Sequence, residues 1–208
     1  DSERMCGIFA YLNHVEPKTR GQVVDYLLGG LARLEYRGYD SAGIAVDGDA
    51  PGEVFLFKQT GKVAMLRAFV GEQSVDMGRV YESHAAMAHT RWATHGQPSP
   101  TNAHPHRSDA ANRFTVVHNG IITNYKELRT LLTAKGYPFE SETDTECLAK
   151  LALYLYEQQV SATGAAPSFY GLVKMVIKEA QGAFACVFKS THYPGELVAT
   201  RRGSPLII

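Results

Sequence analysis

The order in which hydrophobic periods change along the chain restricts the fold more than any other feature. Short apolar runs that read as strands fall at 6–12, 42–46, 54–58 and 87–94, with a further run at 114–122. Between 22 and 36 the period lengthens, and Val23, Val24, Leu27, Leu28, Leu31 and Leu34 recur on one face of a helix. A shorter helix is expected over 62–70, three more lie between 124 and 179, and strands at 183–189 and 197–200 follow. Strands thus gather early and late with most helices between them. A doubly wound parallel sheet would alternate the two one for one, so the expected class is α+β, built in layers.

Local signals set the expected boundaries. Asn124 with Glu127, and Thr143 with Glu146, have the spacing of capping boxes that close the first turn of a helix. Asn119-Gly120 is a turn signal and would interrupt the strand at 114–122 as a tight hairpin. The small residues of 161–167 read as a loop. Residues 1–4 stand ahead of Met5 and are expected to be an addition in front of a start codon. At the other end Leu206-Ile207-Ile208 opens a new apolar run after Gly203-Ser204-Pro205, which suggests a domain, 6–208, taken from a longer protein.

Composition matters here for what it excludes. Lys+Arg and Asp+Glu both number 21, so no charge excess points to nucleic acid, and no apolar run approaches a membrane span. Cys6, Cys147 and Cys186 cannot all pair, which fits a reducing cytoplasm better than a disulfide scaffold.

Four features could carry chemistry. Cys6 follows Met5 directly, so removal of Met5 would leave a cysteine whose own α-amine lies a few bonds from its thiol. An α-amine titrates near ~8 and a thiol near ~8.5, so one residue could supply both nucleophile and base; the alternative is a small core hydrophobe. In the run 89–96, Arg91 is either a fork for a carboxylate or one half of a structural ion pair. Asn119 and the Gly120 N–H offer two donors that could converge on an oxyanion, or else form a turn. Asp144 is either helix N-terminal charge or a carboxylate for a substrate ammonium group. A metal reading draws on His95, His104 and His106, but their spacing matches no common zinc motif.

Read in order, Cys6-Gly7-Ile8, the run from Leu34 to Gly43, the run from His89 to Gly96, Asn102-Ala103-His104-Pro105-His106, His118 to Ile122 and Ser141 to Glu146 resemble the class II glutamine amidotransferases. The resemblance reaches nearly the whole chain from Met5 onward. It implies an N-terminal-nucleophile hydrolase fold, a four-layer αββα sandwich of antiparallel sheets between helical layers. It also implies hydrolysis of L-glutamine to L-glutamate and ammonia through a Cys6 thioester. By motif match, Asn119 and Gly120 would hold the oxyanion, Arg91 with Thr94 and His95 the substrate carboxylate, and Asp144 its ammonium. Trp92 resembles the family's aromatic gate, and Arg37 and Gly38 the loop beside the nucleophile's amine. No metal or organic cofactor is implied. The likeness is fullest to the branch whose C-terminal sugar-isomerase domains, absent here, take the ammonia in a full-length homo-oligomer. Other class II synthases of the phosphoribosyl-amine or asparagine type, or a catalytically silent glutamine-binding module, are the alternatives.

Overall fold

The computed structural model describes residues 6–92, 96–204 and 207. The readings made for residues 1–5, for Thr94 and His95, and for Pro205, Leu206 and Ile208 lie outside the described residues. In chain order the elements are β1 (Gly7–Asn13), β2 (Lys18–Thr19), α1 (Arg20–Leu34), β3 (Ser41–Asp47), β4 (Val54–Thr60), α2 (Val63–Gly71), β5 (Val80–Tyr81) and β6 (His84–Arg91). Next come β7 (His106–Arg107), β8 (Phe114–Ile122), α3 (Tyr125–Ala134), α4 (Glu146–Thr163), α5 (Phe169–Glu179), β9 (Gly182–Ser190) and β10 (Leu197–Arg202). A single 3-10 turn, Glu35–Arg37, joins α1 to the approach of β3.

Among the described residues the strands form two four-stranded antiparallel sheets, ordered β1-β6-β3-β4 and β10-β9-β8-β7, while β2 and β5 make a small ribbon. Three apolar interfaces stack them into layers. Val23, Leu27, Leu31, Ile44 and Leu66 fill the space between α1, α2 and the first sheet. Ala45, Met87, Val117 and Val187 meet between the two sheets. Phe114, Leu148, Phe169, Leu172 and Phe184 fill the space between the second sheet and α3–α5. Helices therefore cover the outer face of each sheet, and the sandwich is αββα. Strands buried on both faces cannot alternate apolar with polar residues, which is why β3, β8 and β9 read as continuous runs. In β3, Ile44 and Val46 point to the helices while Ala45 points to the other sheet.

Several local expectations fail, and at Asn124, Thr143 and Asn119-Gly120 the reason is that a distant partner outcompetes a near one. Asn124 precedes α3 without a side-chain cap bond. Its amide instead bridges to Glu179 O at 2.8 Å and accepts from Gln181 N at 2.9 Å. Thr143 does not cap α4 either, since its hydroxyl meets His106 Nε2 at 3.0 Å. Glu146 accepts from the N–H groups of Glu140 and Ser141, at 2.8 and 2.7 Å. A capping box does form, unanticipated, between Thr19 and Gln22 at the start of α1. The small-residue segment is helical through Thr163, and the loop begins at Gly164, whose φ of 71° ends α4 in the left-handed region. Finally, Asn119-Gly120 makes no hairpin. It lies inside β8, paired with Ala185 and Phe184 of β9.

Candidate active site

Cys6 sits immediately before β1, an edge strand whose Gly7 pairs with Thr90 on β6. Gly7 is needed there, because a Cβ would fall 2.7 Å from Leu34 Cβ and 2.8 Å from Thr90 Oγ1. The segment after α1 then folds over the end of β6. Asp40 N–H donates to Arg91 O at 3.2 Å. Gly38 lies so close to the Arg91–Trp92 peptide that a Cβ would meet its carbon and oxygen at 2.7 Å. The run from Leu34 to Gly43 thus braces the strand end that holds the thiol.

The Cys6 thiol is half-buried, and its hydrogen bonds run to backbone. Trp92 N–H donates to Sγ at 3.2 Å, and Sγ approaches Trp92 O at 3.7 Å. Burial pushes the thiol pKa up, with the Trp92 N–H opposing that shift. Among the described residues no carboxylate or imidazole hydrogen-bonds to Sγ. A thiol held up by burial still needs a proton acceptor, and no side chain described here supplies one. The other two cysteines are buried, and burial raises both thiols, that of Cys147 to about 12.

A cavity of about 500 Å³ opens on this thiol, and Arg91, Trp92, Asn119, Gly120 and Asp144 line it with Cys6. Asn119 Nδ2 donates to Cys6 O at 2.8 Å, which leaves its second hydrogen for the cavity. Gly120 follows with φ +117°, and a Cβ there would lie 2.1 Å from Ala183 O, so the position requires glycine. Arg91 is buried, donates from NH2 to Gly96 O at 3.0 Å, and stands 3.8 Å from Asp40 Oδ1. Asp144, just before α4, accepts from Ile122 N–H at 2.8 Å through one carboxylate oxygen. One cationic fork and one carboxylate therefore face a common space beside a thiol and an amide donor. An α-amino acid carries the complementary pair of charges.

Of the remaining expected residues, the described ones, Trp92, Arg37 and Gly38, lie near this cavity. Trp92 packs edge-on to Tyr39, with ring centroids 5.6 Å apart. Arg37 lines a second, smaller cavity of about 230 Å³ that also reaches Cys6. Behind Asn119 lies a polar support that no motif in the sequence marks. His89, His104 and His118, together with Thr145, are buried in contact with one another. His106 stands against His104, with ring centroids 4.7 Å apart. Burial lowers the His89 pKa to about 3 and those of His104 and His106 well below the usual imidazole value. His104 and His106 drew notice in the sequence as candidate metal ligands, and His89 and His118 only as members of motifs whose other residues carried the expected chemistry.

Comparison with known proteins gives a consistent picture. A family model described as a glutamine amidotransferase domain matches residues 58–166. The chain is 52% identical over 204 residues to glutamine–fructose-6-phosphate aminotransferase [isomerizing] of Saccharomyces cerevisiae, covering 98% of this chain and 28% of that protein. It is 54% identical over 209 residues to the second human protein of that name, covering 98% and 30%. The chain thus spans less than a third of the length of these relatives. Among solved structures, one described as the allosteric regulatory enzyme of purine biosynthesis aligns with a TM-score of 0.60 at 25% identity, over 90% of this chain and 35% of that one. A Bacillus subtilis glutamine phosphoribosylpyrophosphate amidotransferase shares the fold, with a TM-score of 0.58 at 24% identity over 90% and 35% of the two chains.

Proposed function

This chain belongs to the glutamine amidotransferase domain family, and on that footing we propose that it hydrolyses L-glutamine to L-glutamate and ammonia with Cys6 as nucleophile. The observation that carries the reading is the meeting of a thiol that has no side-chain base among the described residues with a cavity charged for an amino acid. Once the residues before it are removed, Cys6 has a free α-amine, and that amine takes the thiol proton. The thiolate adds to the amide carbon of glutamine, and the oxygen that becomes negative is held by Asn119 Nδ2 and the Gly120 N–H. The protonated amine returns its proton to the leaving nitrogen, ammonia departs, and a γ-glutamyl thioester remains. Water, deprotonated by the same amine, adds to the thioester, and glutamate leaves as the thiol is re-formed.

Arg91, with Thr94 and His95, holds the substrate carboxylate, and Asp144 its ammonium. Trp92 gates the exit of ammonia, while Arg37 and Gly38 stand beside the nucleophile's amine. In the whole protein the ammonia passes to C-terminal sugar-isomerase domains that convert fructose 6-phosphate to glucosamine 6-phosphate, within a cytoplasmic homo-oligomer. Similarity above 50% to proteins of that name supports this branch over the phosphoribosyl-amine one.

The test compares two forms of the protein, one beginning at Asp1 and one at Cys6. In the longer form the Cys6 nitrogen is an amide without basicity near neutral pH. Glutamate release should be nearly absent from it and present in the form that starts at Cys6, where Cys6→Ala abolishes it. Equal rates, with intact mass showing Asp1 still attached, would exclude the amine as base. Binding of glutamine by the Cys6 form, without labelling of Cys6 by a glutamine-analogue electrophile, would instead identify a silent module.

A further inference from the structure

We propose that Thr145, His104 and His89 form a chain of directed hydrogen bonds that holds the amide of Asn119 with its NH2 turned toward the nucleophile. This rests on the oxyanion role proposed for Asn119. It assigns a positioning task to three buried residues that make no hydrogen bond to the thiol, although His104 and Thr145 also line the cavity.

The direction of every bond follows from one carbonyl. His89 Nε2 lies 3.1 Å from His118 O, which can only accept, so Nε2 carries the hydrogen. The same nitrogen lies 2.9 Å from the Asn119 side chain, so the amide must present its oxygen there and its NH2 to Cys6 O, 2.8 Å away. Burial keeps the His89 ring neutral, with a pKa near 3, so its other nitrogen, Nδ1, holds a lone pair. His104 Nδ1, 3.0 Å from it, therefore donates. That leaves His104 Nε2 as an acceptor, and Thr145 Oγ1 at 2.8 Å gives it the hydroxyl hydrogen. Asp144 Oδ1 is the other acceptor within reach of that hydrogen, at 3.4 Å, and the much shorter contact to His104 takes it, so Thr145 accepts from His118 Nδ1 at 2.7 Å.

An amide that turns over presents oxygen where the oxyanion forms, and two like-charged acceptors then face each other. The energetic difference between the two orientations of Asn119 is small in water and large in a buried site. The chain supplies that difference. It also ends beside the proposed ammonium site, since Thr145 adjoins Asp144 and all the participating groups lie on β6, β8, the 104–106 segment and the start of α4.

The decisive variant is Thr145→Val, which keeps the shape and removes the hydroxyl, measured in the protein that begins at Cys6. It should lower kcat about 10- to 100-fold with KM within about twofold, a share of the roughly 10²–10³-fold cost of losing an oxyanion donor outright. Thr145→Ser should restore most of the rate. Because the chain works only through Asn119, adding Thr145→Val to Asn119→Ala should cost little further activity. Serine as poor as valine would show that the hydroxyl is not what matters. A double variant slower by the product of the two single losses would mean that Thr145 acts by another route. If Asn119→Ala slows the enzyme and Thr145→Val matches the parent, the chain is refuted while the oxyanion reading stands. If Asn119→Ala itself leaves kcat unchanged, the oxyanion reading falls, and the proposal with it.

Discussion

The two ends of the sandwich are tied across the sheets in different ways. Beside Cys6, β6 reaches β8 through His89 Nε2 to His118 O, and Asn119 returns the link to Cys6 O. At the opposite end, β3 reaches β9 through an ion pair between Asp47 and the buried Lys189. Around that pair, Asp47 also accepts from Ala85 N–H at 3.1 Å. The buried guanidinium of Arg20 donates to Asp47 O at 3.3 Å and Asp76 O at 2.7 Å. An ion pair is strong and tolerant of direction, whereas a neutral imidazole donates from one nitrogen and accepts at the other. The charged end holds the layers together. The neutral end gives an orientation to a single amide.

That contrast is broken or kept by a crossed pair of variants. Asn119→Ala should lower kcat about 10²–10³-fold with a smaller change in KM, the cost of one oxyanion donor. Its melting temperature should move little, because Asn119 is only half-buried at the cavity wall. Asp47→Ala should do the reverse. It takes away the carboxylate on which the Lys189 ammonium sits, and breaking a buried pair costs about 3 kcal/mol. In a domain of this size that lowers Tm by roughly 6–12 °C, while kcat at room temperature stays within about twofold. A large rate loss in Asp47→Ala, or a large Tm loss in Asn119→Ala, would mean that the two ends do not divide the work as described.

Arg91 sharpens the comparison at the end beside Cys6, because it is the cation that lines the main cavity there. Arg91→Lys keeps the charge but loses the two-pronged geometry and the bond to Gly96 O. A lost charge-assisted bond of about 1.5–3 kcal/mol corresponds to a fall in kcat/KM of roughly 10- to 150-fold. Most of it should appear in KM if the fork binds the substrate carboxylate. The same kinetic pattern in Arg91→Lys and Asn119→Ala would overturn the division between carboxylate and oxyanion.

What the sequence made legible was whatever depends on a period or on a motif. The helix of Val23, Leu27 and Leu31 and the strands around Ile44, Val117 and Val187 lie where their spacing put them. Cys6, Arg91, Asn119 and Asp144, which the family resemblance groups together, line one cavity. What stayed hidden depends on partners far apart in the chain. The two-residue strands β2, β5 and β7 carry no period at all. Asn124 and Thr143 have the spacing of caps but are claimed by Glu179, Gln181 and His106. Asn119-Gly120 carries a turn signal, yet β9 pairs with it and keeps the strand extended. His89, His104 and Thr145 come from three separate stretches, so their chain of hydrogen bonds exists only once the sheets have stacked.

The smallest expected effect is a dependence on pH, which the charged end shares with the neutral one. His84, on β6 near Asp47, is buried and accepts the Asp47 N–H at Nε2, 3.2 Å away. Burial is the main cause of a pKa lowered to about 4, and Lys189 and Arg20 add to it against Asp47. In the unfolded chain the same ring titrates near ~6.5, so below that pH the unfolded state binds the extra proton and gains on the folded one. Stability is therefore whole above pH ~6.5 and falls with acid, by up to about 1.4 kcal/mol per pH unit for each such ring. His89, His104 and His106 contribute in the same direction at the neutral end. His84→Gln removes one titrating ring from the charged end without touching the cavity. Between pH 7 and 5.5 its urea-unfolding free energy, relative to the parent, should improve by about 1.3 kcal/mol, with kcat unchanged at both values. A difference that does not move with pH would mean that His84 is free to take up a proton in the folded state, and the neutral character assigned to it would be wrong.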